Sequence, residues 1–115
     1  MLFRSKTSIQ EENSCASTQE AILIIQADGS AILSVYGPGF IDHINCVEAS
    51  GMEAWYLAGT ANAADETVTF TSCNDGGFNA QGSVKYAGGA LAGEATCLYK
   101  QGDAAGKPAM KIKVP

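Results

Sequence analysis

Between Glu66 and Lys100 the chain reads ETVTFTSCNDGGFNAQGSVKYAGGALAGEATCLYK, and this stretch restricts the fold more than any other. Asp75-Gly76-Gly77 and Gly88-Gly89 divide it into three parts. Glycine pairs of this kind supply the positive φ that tight hairpin turns need. Between the turns the side chains alternate. Phe78, Ala80, Gly82, Val84 and Tyr86 fall on one face, and Asn79, Gln81, Ser83 and Lys85 on the other. A period of two with one apolar face describes a strand buried on one side only. The flanking segments repeat the pattern. Val68 and Phe70 oppose Thr67, Thr69 and Thr71, while Leu91, Gly93, Ala95, Cys97 and Tyr99 oppose Ala92, Glu94, Thr96 and Lys100. On this spacing Cys73 falls on the threonine face unless a bulge turns it inward.

The rest of the chain follows the same grammar. AILIIQA, Asp28-Gly29 and SAILSVY form a second hairpin signal. AILIIQA is apolar on both faces, which implies a strand covered on two sides, the second cover being the N-terminal segment. Gly37-Pro38-Gly39 is expected to end that hairpin. FIDHINCVEA and MEAWYLAGTA follow around a Ser50-Gly51 turn, with Trp55 and Leu57 on one face and Met52 and Tyr56 on the other. AMKIKV closes the pattern with Met110, Ile112 and Val114 inward and Lys111 and Lys113 outward. Connections this short exclude the long crossovers of parallel sheets. The expected fold is all-β, an antiparallel meander of about eight strands forming a small up-and-down barrel or flattened sandwich. Closure removes the edges that an open meander exposes. Residues 19–115 make the single barrel or sandwich domain. Residues 1–18 are polar and read as an arm or a short helix near 8–14, where Ser8 and Glu11 have capping-box spacing.

A chain of 115 residues is one domain by size. Its formal net charge of -5 argues against nucleic acid, whose phosphates need a basic patch, and against anionic membranes. No apolar run reaches the length of a membrane helix. Cys15, Cys46, Cys73 and Cys97 make either two disulfides, in one of three pairings, or four small reduced side chains. The N-terminus as written has no signal-peptide core, so the chain reads as cytosolic or as the mature part of an exported protein. Disulfides favour export. In a meander, Cys46, Cys73 and Cys97 lie near the ends of the third, fifth and seventh strands and gather at one rim. Strands two apart are about 9.5 Å from each other. A disulfide bridges Cα atoms up to about 7 Å apart, so a bond among these three must cross the interior or use a loop.

Candidate chemistry is sparse. His43 and Cys46 make H-x-x-C, a metal-site spacing, but residues three apart on a strand point to opposite faces. Asp42, His43 and Glu48 are the acid–base candidates, with His43 on the wrong face for the other two. No nucleophile elbow, phosphate loop or dinucleotide fingerprint is present in the sequence, and no cofactor is expected. Lys100, Lys107, Lys111 and Lys113 read as charges that keep an edge from aggregating. The aromatic side chains say more. Phe70, Tyr86 and Tyr99 face the interior beside Ala80, Gly82, Gly93 and Ala95, a mixture that fills a tapered barrel or leaves a cavity. Eight strands enclose room for side chains or one small ligand. Trp55 and Tyr56 are adjacent, so one of them faces outward and marks a contact surface.

The expected function is non-catalytic binding of a small apolar molecule in a barrel of lipocalin-like architecture, with Phe70, Tyr86, Tyr99 and Trp55 as the ligand-binding set. The alternative is a protein-interaction or inhibitor module acting through loops and an exposed aromatic such as Trp55. A small barrel enzyme using Asp42, His43 or Glu48 comes third. Edge strands of a partly open barrel would also allow a homodimer. The segments V-T-F-T-S-C and G-S-V-K-Y-A-G-G-A-L-A-G-E-A resemble the C-terminal hairpins of small exported bacterial β-proteins. Some of those bind ligands and some inhibit enzymes, so the resemblance implies the same two classes and carries over no functional residue.

Overall fold

The computed structural model describes residues 1–11, 15–42 and 44–115. Eight strands follow one another in sequence order: β1 Leu2–Glu11, β2 Ala16–Ile25, β3 Ser30–Asp42, β4 Val47–Asn62, β5 Thr67–Cys73, β6 Phe78–Lys85, β7 Ala92–Leu98 and β8 Pro108–Val114. Each pairs antiparallel with the next, and β1 pairs with β8 to close the barrel. The expected all-β meander is therefore the fold. It is flattened, with a Cα envelope of 43 × 29 × 19 Å.

The two-residue period decides which side chains go inside. Leu33 and Val35 on β3 pair with Leu57 and Trp55 on β4, and Leu23 and Ala21 on β2 complete the same rows. All six are buried. Val68, Phe70, Val84, Ala95, Met110, Ile112 and Val114 continue this inner wall around the barrel. Removing such branched side chains from water contributes about 1.5–3 kcal/mol each and drives closure.

Three sequence expectations require correction. Residues 2–11 are a strand rather than an arm or helix. Ser8 pairs with Lys113 and Glu11 with Met110, so the capping-box pair sits in a ladder; the remainder of the expected helix, residues 12–14, lies outside the described residues. The N-terminal segment adds to the sheet edgewise instead of lying across it, which leaves Ile24 and Ile32 on the outer wall at 44% exposure each. Gly37-Pro38-Gly39 and Ser50-Gly51 are not turns but lie within β3 and β4. Register shifts at Pro38/Phe40 and Phe40/Asp42 absorb the proline as bulges in a long, bent strand.

The cysteines meet their geometric expectation. Cys46, Cys73 and Cys97 lie at one rim, and the disulfides are Cys15–Cys46 and Cys73–Cys97. Cys73–Cys97 joins β5 to β7 across the inner side of β6, with Cα atoms 6.1 Å apart. Bulges near Ala58/Gly59 and between Thr69 and Ser72 turn Cys73 off the threonine face, so that Phe70 and Cys73, three apart, both point inward. The flat-sheet spacing of the two strands is shortened here by the tight coiling of β5 to β7. Gly82 and Gly93 permit that coiling. Both have positive φ, +106° and +144°, and a Cβ on either would collide with the backbone of the opposing strand.

Barrel closure is uneven. The β1–β8 ladder runs only from Ser8–Lys113 to Glu11–Met110, near the cysteine-rich rim. The first half of β1, from Leu2 to Thr7, pairs with β2 alone.

Candidate functional site

The inner wall is apolar except for one patch toward the cysteine-rich end. Thr7, Ser17 and Gln19 are the buried polar residues among those described. Thr7 pairs with Gln19 across β1 and β2, and Gly37 pairs with Glu53 across β3 and β4. The Gln19 side chain lies over the inner side of Gly37, where a Cβ would come within 2.6 Å of its Cγ. The Glu53 carboxylate lies in the same way over Gly39. Glycines at alternate inward positions of β3 thus let two long polar side chains lie flat inside the barrel.

The hydrogen bonds of this patch are incomplete. Thr7 Oγ1 donates to the Lys113 carbonyl at 2.8 Å. Gln19 Nε2 donates to the Pro38 carbonyl at 3.1 Å and to Ser17 Oγ at 3.4 Å. That donation fixes the amide's orientation, since the reverse would set oxygen against oxygen. Gln19 Oε1 is then buried with no partner among the described residues. An unmet buried acceptor costs about 1–3 kcal/mol. Glu53 Oε1 accepts from the Trp55 indole N–H at 3.2 Å.

An aromatic row adjoins the patch. Trp55 and Phe78 have centroids 5.0 Å apart, and Phe78 and Tyr99 5.6 Å, both pairs tilted as ring quadrupoles favour. Tyr86 instead packs against Phe3 at 5.3 Å, at the opposite end of the barrel. Phe70 is buried in the core and belongs to neither group. The sequence-expected set therefore divides: Trp55 and Tyr99 are linked through Phe78, Phe70 is deeper, and Tyr86 stands apart. Trp55 faces inward, so Tyr56, 52% exposed, is the outward member of the adjacent pair.

The acid–base candidates do not converge within the described residues. Asp42 Oδ1 accepts from the backbone N–H groups of Ile44 and Asn45, at 2.9 and 3.0 Å, and Oδ2 from Asn45 Nδ2. It orders the turn into β4. Glu48 is exposed on the outer wall. His43, with its H-x-x-C spacing, lies outside the described residues, and no group of three metal-ligating side chains occurs among those described. Lys100 Nζ donates to the Gly76 carbonyl, tying two loops together at the cysteine-rich rim, and Lys111 and Lys113 are exposed.

Sequence reasoning missed Gln19, Glu53, Gly37 and Gly39. A signal for them existed. Residues 33, 35, 37 and 39 continue one inward register through the proline, although G-P-G has the composition of a turn. No family model, curated protein or solved structure matches this chain.

Proposed function

We propose that this chain is a non-catalytic binding barrel that takes a small, largely apolar molecule carrying a hydrogen-bond donor. The ligand-binding set is Trp55 and Tyr99, with Phe70 deeper in the apolar interior and Gln19 as the polar anchor; Tyr86, packed on Phe3 at the far end of the barrel, is left out of it. The observation that carries this reading is the Gln19 carbonyl oxygen, buried without a partner among the described residues, in a polar patch that Glu53 links to the Trp55, Phe78 and Tyr99 row. Pockets for small molecules are mostly apolar and orient their ligand through a few placed polar groups. An unmet acceptor in an aromatic-lined wall is such a group.

A thermal-shift screen of small apolar molecules with and without a hydroxyl or N–H tests this. A molecule present at about 100 times its Kd stabilises by about 2.7 kcal/mol, which raises Tm by roughly 10 °C for a domain of this size. The donor-bearing members are expected to shift Tm, and Gln19→Met to weaken them by about tenfold. A screen in which no compound moves Tm rejects the proposal. Equal shifts by donor-free analogues reject the anchor.

A further inference from the structure

Two hydrogen-bond acceptors lie on the inner side of β3, and the chain offers neither of them a cation. Gln19 reaches there from β2 and Glu53 from β4. A Cβ added at Gly37 would lie 3.0 Å from Gln19 Cδ, and one added at Gly39 would collide with Glu53 Oε2. Gln19 is only 3% exposed, and its Oε1 has no partner among the described residues. Glu53 Oε1 accepts from the Trp55 indole N–H, whereas Oε2 accepts from no group among the described residues. Alternate inward positions of a strand are about 6.7 Å apart. One nitrogen bonded to two oxygens at about 2.9 Å each spans up to about 5.8 Å. The difference is within the reach of two unbranched side chains, so a single donor group can serve both.

Charge decides what kind of donor group that is. All seven Lys and Arg side chains are exposed. The ion pair among the described residues joins Lys6 to Glu20 on the outer wall. Glu53 is half-buried and therefore partly desolvated, so a cation that reaches it gains more than one at an open surface. A divalent metal is poorly served, because no three metal-ligating side chains gather among the described residues. A primary ammonium fits better. It carries three N–H donors and can answer both oxygens, whereas a hydroxyl carries one donor and answers only one.

The surroundings suit the rest of such a molecule. From Glu53 the Trp55, Phe78 and Tyr99 row continues along the interior. It offers apolar surface to the body of a ligand, and aromatic faces also attract a cationic head. Glu53, Phe78 and Tyr99 are half-buried rather than buried, so the patch reaches solvent and is not sealed.

We infer that the donor of the bound molecule is a protonated primary amine. Its ammonium bridges Gln19 Oε1 and Glu53 Oε2, and its alkyl or aryl body lies along Trp55, Phe78 and Tyr99. This rests on the binding barrel proposed above and assigns the charge and donor number of its ligand.

The test is calorimetric titration of the full chain with 2-phenylethylamine and with 2-phenylethanol. The two share one body, and the amine is protonated at neutral pH as a lysine side chain is. Trp55 is the only tryptophan in the sequence, so its indole N–H gives one NMR signal that reports on Glu53. The amine is expected to bind about tenfold more tightly than the alcohol and to shift that signal. Glu53→Gln, which keeps an oxygen for the indole, removes the advantage. Equal binding of amine and alcohol overturns the inference and leaves the binding barrel standing, while binding of neither overturns both. An amine that binds more tightly without moving the Trp55 signal, or that keeps its advantage in Glu53→Gln, is held elsewhere and overturns the inference too. The comparison of the two ligands and the Trp55 signal need no variant, so the test stands even if Glu53→Gln fails to fold.

Discussion

Gly93 shows what a single residue does in this barrel. Its φ of +144° is one that L side chains rarely adopt, and an added Cβ would collide with Ser83 O and lie 3.0 Å from Val84 Cα. Gly93→Ala is expected to destabilise by about 2 kcal/mol, the middle of the overpacking range. Urea unfolding should show a lower midpoint with an unchanged slope. Gly51→Ala, with nothing within 4 Å of the new Cβ, is the neutral control. Period-two reading placed Gly82 and Gly93 on the inner face as small residues that could leave a void. The structure spends their missing side chains on close backbone approach. Which of the two a glycine serves depends on the partner strand, and the sequence does not hold that information locally.

A second residue-scale prediction concerns Asp28, in the β2–β3 turn. The Ser30 hydroxyl and then the Ser30 backbone N–H, donating to Oδ1 at 2.6 and 2.9 Å, hold its carboxyl below the usual carboxylate range. A depressed carboxyl favours the folded state above its unfolded pKa, and that contribution disappears as pH falls through the folded value. An NMR titration should therefore place the Asp28 midpoint below the usual carboxylate range. Ser30→Ala should move it upward. An Asp28 midpoint unaffected by Ser30→Ala contradicts the assignment.

At the scale of elements, the two disulfides differ in access. Cys73 and Cys97 are both fully buried, whereas Cys46 is exposed although its partner Cys15 is not. Under mild reductant in native buffer, alkylation and mass spectrometry should find Cys15–Cys46 opened first. Cys73–Cys97 should stay closed until the barrel unfolds. With a sequence separation of 24, loss of the inner bond through a Cys73→Ala and Cys97→Ala double variant should destabilise by about 3.5 kcal/mol by loop-closure entropy. The cysteine-rich rim was legible from strand order alone. The inward turn of Cys73 was not, because it depends on bulges that arise where β4, β5 and β6 adjust their registers to one another.

β1 teaches the converse. Its residues from Lys6 to Gln10 are polar or threonine-like on the outside, with Thr7 and Ile9 inward, a pattern too weak to stand against a capping-box signal. It becomes a strand because the outer edges of β2 and β8 each need a partner. Local propensity yields to tertiary pairing at such places. Thr7→Val should keep the fold but lose the bond to the Lys113 carbonyl, lowering stability by about 1 kcal/mol in thermal unfolding.

For the whole molecule, alternation between glycine turns dictated the antiparallel order and most of the core. Val68, Phe70, Val84, Tyr86, Leu91, Ala95, Cys97, Met110, Ile112 and Val114 are buried as their spacing requires. This was readable because side-chain direction along a strand is a local property, set by the pleat. Closure, disulfide pairing and the polar patch around Gln19 were decided only by the assembled barrel. Each depends on where strands distant in sequence begin and stop facing one another, and shifts of one or two residues in register settle that.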